Sequence, residues 1–160
     1  MTIKIGDKIP AVTLRTMTRE GVKTMTTGEL FKGKTVVLFS LPGAFTPTCS
    51  AKHLPGFIAR ADEIKGRKVD TIACLSVNDA YVMEAWGKSQ NAGDKVLMLA
   101  DGNADFSKAV GLTSDSEKFG MGLRGQRYAL VAKDGVVTML NVEAPGAFEV
   151  STAEAVLKAL

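Results

Sequence analysis

The apolar positions of the chain fall into two periods, and their alternation predicts the order of elements. Val36, Val37, Leu38, Phe39 and Leu41 form a β-branched and aromatic run that stops at Pro42-Gly43, the composition of a buried strand over 36–41. Residues 69–77 and 96–100 read as two further buried strands, and residues 9–15 alternate like a half-buried one. Between them the period changes to that of a helix. Leu54, Phe57, Ile58, Ala61 and Ile64 predict an amphipathic helix ending near Gly66, with Pro55 bending its second turn. Asp79 starts a helix through Ala80, Val82, Met83 and Trp86 to about Gln90, and Gly111 stops a short one over 106–110. A short helical segment over 27–33 follows the turn at Gly21. Residues 113–126, with three glycines and several charges, read as a loop. Residues 128–133 and 136–142 flank Asp134-Gly135, a strong hairpin signal, and Ser151 with Glu154 has the pattern of a capping box for a terminal helix.

This order predicts a mixed sheet with helices on both faces, the arrangement of a thioredoxin-like α/β fold, within one domain over residues 1–160. A hydrophobic content of 46% is ample for its core. The net charge of +3 is interleaved along the chain, which argues against nucleic acid as a partner. No signal-peptide core and no run of eighteen apolar residues is found, so the expectation is a cytoplasmic protein that does not enter a membrane.

The candidate chemistry stands where the central strand meets a helix. Thr46 and Thr48 are good N-cap residues and Pro47 suits a first turn, which places Cys49 at the helix start. Unpaired N–H groups and the positive end of the dipole favour an anion there, and a thiolate is an anion. A free thiol, with a pKa of about 8.5, is only slightly ionised at neutral pH, whereas a helix terminus with a nearby cation makes the thiolate the dominant form. Cys49 is therefore the candidate nucleophile, and a small buried residue is the plain alternative. His53, four positions on, either pairs with Cys49 on one helix face or is structural. Cys74 lies inside an apolar strand pattern and is no C-x-x-C partner of Cys49. Two cysteines and one histidine are too few for most structural metal sites.

The segment P-G-A-F-T-P-T-C, from Pro42 to Cys49, contains P-x-x-x-T-x-x-C and resembles the active-site motif of the peroxiredoxins. H-L-P-G-F from His53, S-V-N-D-A-Y-V-M-E-A-W from Ser76, L-A-D from Leu99 and R-G-Q-R-Y-A-L-V from Arg124 look like the peroxiredoxin-5 branch, in order and over nearly the whole chain. The resemblance implies a thiol peroxidase, an antioxidant oxidoreductase. In it Cys49 attacks hydrogen peroxide or an organic hydroperoxide and becomes a sulfenic acid. Thr46 hydrogen-bonds the peroxide, Arg127 stabilises the thiolate and the developing charge, and Pro42 shields the sulfur from water. Arg124 matches a less certain arginine that orders the loop. Outside the resemblance, Thr46 reads equally as a helix cap and Arg127 as a surface arginine.

By the same resemblance Cys74 matches a position that some members use to resolve the sulfenic acid and others carry as inert core. No cysteine stands near the C-terminus, where other members place a resolving thiol. The implied reductant is glutathione, with or without glutaredoxin; thioredoxin, acting through a Cys49–Cys74 disulfide, is the alternative. No cofactor or metal is implied, since electrons pass through sulfur. Family members commonly form homodimers, with apolar residues near Phe45 and Phe119 as candidate contributors. Two other classes remain open: a thiol–disulfide transferase or cysteine hydrolase built on Cys49 and His53, and a non-catalytic redox sensor.

Overall fold

The computed structural model describes residues 1–160. Its centre is the strand β3 (Thr35–Ser40), the apolar run of the sequence, buried along nearly its whole length. It pairs in parallel with β4 (Thr71–Ser76), which pairs in parallel with β5 (Leu97–Ala100). On its other edge β3 runs antiparallel to β8 (Tyr128–Lys133), which turns back at Asp134-Gly135 into β9 (Val136–Val142). Both turn residues have positive φ, 49° and 78°, the primed hairpin geometry that the Asp-Gly pair predicts. With β1 (Thr13–Thr18) and β2 (Gly21–Thr26) beyond β5, the seven-stranded order is β2-β1-β5-β4-β3-β8-β9.

Alternate side chains of β3 enter two separate cores. Val37 and Phe39 face helices α2 (Leu54–Ala59), α3 (Ala61–Lys65), α4 (Ala80–Ser89) and α6 (Ala153–Ala159). Val36 and Leu38 face α1 (Thr27–Phe31) and α5 (Asp105–Val110). This is the mixed sheet covered on both faces that the pattern predicts. Phe39 stacks on Phe57 of α2 with ring centroids 4.0 Å apart and planes within 5°, which presses the helix after Cys49 onto the strand before it. Such a pair adds about 0.5–1.5 kcal/mol to the burial of its area.

Several expectations need correction. The strand expected over 9–15 begins only at Thr13, because Pro10 has no N–H for a ladder; before it Lys8 makes one isolated bridge to Val136. The edge strand β2 escapes the pattern because it is mostly exposed and has no apolar face to bury. Residues 113–126 are not a simple loop: β6 (Thr113–Ser116) and β7 (Gly122–Gly125) pair antiparallel around a 3₁₀ turn, held by backbone bonds without an apolar alternation. The terminal helix is capped by Thr152, which accepts from Ala155 N at 3.0 Å, while Ser151 and Glu154 bond to Glu143 and Arg60 instead. The short helix α1 begins at Thr27 as expected, capped by Thr26 in a capping box with Glu29.

The helix starts at Pro47, as its first-turn residues predict, but runs through a π-helical turn over Cys49–His53 and is divided at Arg60. Leu54 N donates to the Cys49 carbonyl, and Pro55, with no N–H of its own, follows directly. The wider turn is the helix's accommodation of a proline that cannot continue an ordinary i→i−4 ladder. Pro55 thus opens the first turns rather than simply bending the second.

Gly111 ends α5 in the left-handed region, at φ +73°, and a Cβ there would collide with the Met1 carbonyl. Gly111→Ala is expected to destabilise the fold by about 1–3 kcal/mol. A lowered urea midpoint, with loss of amide protection at Ile3, whose N–H donates to Val110, is the measurement that checks it; an unchanged midpoint would refute it.

Candidate active site

Cys49 opens the π-helical turn and is fully buried. One other side chain donates to its sulfur: Arg127 Nη2, at 3.2 Å. Arg127 immediately precedes β8, the strand antiparallel to β3, so the sheet carries the guanidinium across to the start of the helix. A guanidinium donating into sulfur stabilises negative charge on it. The arginine is not the generic surface residue that its place before an apolar strand would suggest.

The second arm of the guanidinium is also occupied. Arg127 Nη1 meets His53 Nδ1 at 2.9 Å, and His53 Nε2 lies 3.0 Å from the Ser151 carbonyl. Arginine only donates and a carbonyl only accepts, so His53 carries its proton on Nε2 and accepts at Nδ1. His53 therefore pairs with Arg127 and not directly with Cys49. Burial first, and the Arg127 charge second, push its pKa down to about 3, which keeps the ring neutral. Phe39, Phe57 and Phe148 surround it with centroids 5.0, 5.7 and 5.1 Å away.

Ser151 is held by Glu143, the residue after β9. Its Oε2 accepts from the N–H groups of Glu149, Val150 and Ser151 at 2.8, 2.9 and 2.8 Å and from the Ser151 hydroxyl at 2.7 Å. Burial alone would raise this carboxyl's pKa, but the four donors outweigh it and hold it below its ordinary value. Glu143 was not legible as part of the site. A single carboxylate after an apolar strand carries no spacing that ties it to a distant turn.

The other expected residues gather at the mouth. Thr46 Oγ1 donates to the Gly43 carbonyl at 2.6 Å. It does not cap the helix through its side chain, and its oxygen lone pairs stay free to accept. Thr48 likewise makes no capping bond. Arg124 Nη1 donates to the Pro42 carbonyl at 3.3 Å and its Nε to Met121 at 2.8 Å, so it orders the loop. Pro42 and Arg127 are among the residues lining a largely polar cavity of about 540 Å³, which neither Cys49 nor Thr46 lines. Ser50, next to Cys49, accepts from Trp86 Nε1 at 2.9 Å and ties the turn to α4. Cys74 lies on β4 opposite Phe39 and belongs to the same buried cluster as Cys49; both thiols are free. Burial, and then the Cys49 sulfur, push the Cys74 thiol well up, with Arg127 opposing. No three metal-binding side chains converge anywhere in the chain, and no helix is long and apolar enough to cross a membrane.

Comparison with known proteins agrees with this geometry. The Redoxin family matches residues 4–157. Peroxiredoxin-2E-2, chloroplastic, of Oryza sativa subsp. japonica is 54% identical over 99% of this chain and 73% of its own length. This chain belongs to the peroxiredoxin family. A peroxiredoxin is an oxidoreductase that reduces peroxides and is itself reduced by a thiol partner, so the chain is a peroxidase of the thioredoxin-like fold. The hybrid peroxiredoxin hyPrx5 of Haemophilus influenzae is 44% identical over 97% of this chain and 65% of its own. Among solved structures, reduced Prx3 of Vibrio vulnificus in complex with hydrogen peroxide is 57% identical, with a TM-score of 0.96 over 99% of both chains.

The neutral His53 makes stability of this peroxiredoxin depend on pH. Its pKa is about 3 in the fold against 6.5 ordinarily, so the unfolded chain takes up the proton first. Stability is complete above pH 6.5 and falls as pH drops, by about 1.4 kcal/mol per pH unit from this one group, or about 2 kcal/mol at pH 5. Urea midpoints at pH 7 and pH 5 measure this, and His53→Gln is expected to flatten the difference. An equal difference in the variant would assign the loss to other groups.

Proposed function

We propose that Cys49 is the peroxidatic nucleophile. The observation that carries this is the 3.2 Å donation from Arg127 into its sulfur, within the P-x-x-x-T-x-x-C motif. The thiolate attacks one oxygen of ROOH, so that an S–O bond forms as the O–O bond breaks. Cysteine is oxidised by two electrons to the sulfenic acid, and the leaving oxygen takes up a proton as water or alcohol. Arg127 stabilises charge first on sulfur and then on the leaving oxygen. Thr46, whose hydroxyl hydrogen is committed to Gly43, accepts from the peroxide O–H and orients it. Pro42 closes the mouth over the sulfur.

The reductant we assign is glutathione, with or without glutaredoxin: one thiol condenses with the sulfenic acid, expelling water, and a second thiol releases the cysteine as a disulfide forms between the reductants. The burial of Cys74 in the central strand as a neutral thiol supports this reading over thioredoxin acting through a Cys49–Cys74 disulfide. A homodimer belongs to the same proposal, supported by Phe45 and Phe119, exposed at 55% and 70% near the mouth. A cytoplasmic location rests on the sequence alone.

Peroxide consumption with glutathione, glutathione plus glutaredoxin and the thioredoxin system tests these assignments in parallel. Cys49→Ser is expected to abolish turnover, and Arg127→Gln to lower the rate with peroxide about a hundredfold, the loss typical of one transition-state donor. Cys74→Ser is expected to keep turnover with glutathione or glutaredoxin. Arrest of recycling in Cys74→Ser would make Cys74 the resolving thiol, and an active Cys49→Ser would end the peroxidase assignment of this residue.

A further inference from the structure

Arg127 reaches Cys49 from the start of β8, on the same face of the sheet, and its position depends on what holds its other arm. That arm ends on His53 Nδ1, which accepts only while the ring's proton is on Nε2. Nε2 in turn keeps its proton because the Ser151 carbonyl stands 3.0 Å away to receive it. A carbonyl at the end of a surface loop is not fixed by itself. Here it is fixed by one carboxylate oxygen that accepts four hydrogen bonds from the 149–151 turn.

Glu143 sits where it can tie both ends together. Its own N–H donates to the Arg127 carbonyl at 3.0 Å, one step beyond the β8–β9 ladder, so its backbone is joined to the arginine whose side chain it influences. Its side chain crosses to the far end of the loop that it begins. Between the two ends lies Phe148, with its ring against His53 and the guanidinium carbon of Arg127 5.8 Å over it. One carboxylate therefore closes the loop that supplies both the carbonyl for His53 and an aromatic face for Arg127.

We propose that Glu143 is a positioning residue for the peroxidase reaction, acting through the 149–151 turn and the His53 tautomer to hold Arg127 against the Cys49 sulfur. The inference rests on the assignment of Cys49 and Arg127 above. It gives the carboxylate a function beyond loop stability: with Glu143 removed, the Ser151 carbonyl drifts, the imidazole proton is free to occupy either nitrogen, and a proton on Nδ1 faces the guanidinium donor with a second donor.

The chain has one histidine, so nitrogen-15 spectra of histidine-labelled protein report His53 alone. The full chain is compared as wild type, Glu143→Ala, Glu143→Gln and Glu154→Gln, with Cys49→Ser as the reference for loss of the reacting thiol. At pH 7 the wild type is expected to show a single Nε2–H tautomer. Glu143→Ala is expected to show a mixture of tautomers and about a tenfold slower reaction of reduced protein with hydrogen peroxide. Glu143→Gln, which keeps an acceptor oxygen, should fall between the two. Glu154→Gln, an exposed carboxylate paired only with Arg60, should stay within twofold of wild type. If Glu143→Ala does not fold, Glu143→Gln carries the test by itself. An unchanged tautomer with a slower reaction, or a mixed tautomer with an unchanged rate, would overturn the proposal, as would a lowered melting temperature with both readouts unmoved. An active Cys49→Ser would instead overturn the assignment of the nucleophile.

Discussion

A single guanidinium lies between a sulfur and an imidazole, and the site depends on that bridge. Both terminal nitrogens of Arg127 are engaged: one donates to Cys49, the other to His53. The geometry needs a partner that accepts without carrying charge, because a carboxylate in the place of His53 would neutralise the cation that Cys49 uses. A buried neutral imidazole meets that need. Three aromatic rings exclude water from it, and the arginine itself opposes its protonation, so the pair is self-consistent.

The scaffold explains why residues so far apart in sequence meet. Parallel pairing of β3 with β4 sends the chain after β3 across the sheet as a helix, which puts Cys49 above the strand ends. Antiparallel pairing of β3 with β8 brings the residue before β8 to the same end. The two directions of pairing on the two edges of one strand are thus what join thiol and cation. The π-helical turn then lets a proline stand one turn later without breaking the helix that Phe57 anchors.

Much of this was legible in the sequence, and for identifiable reasons. The buried strands and the Asp-Gly hairpin announce themselves by local composition, and Pro42, Thr46 and Cys49 by a contiguous motif. Arg127 came only with the family resemblance, since nothing in its neighbourhood distinguishes it from a surface arginine. The strands within 113–126 leave no apolar pattern, because their pairing rests on backbone bonds and on Gln126 Nε2, which donates to the Thr113 carbonyl. His53 stood out, but a shared helix face with Cys49 suggested the wrong partner; the sheet, which no local pattern reveals, supplied Arg127. Glu143 and Ser151 act through single atoms across a loop, and only coordinates show such contacts.

The chain has a single tryptophan, and Trp86 spends its one N–H on the hydroxyl of the residue beside Cys49. An indole buried in the core and bonded to the π-helical turn is a built-in optical gauge. Whenever that turn loosens, the indole must exchange a protein hydroxyl for another partner, and its emission changes with its surroundings. The native protein thus carries its own unlabelled reporter of whether the helix around Cys49 is folded or has let go.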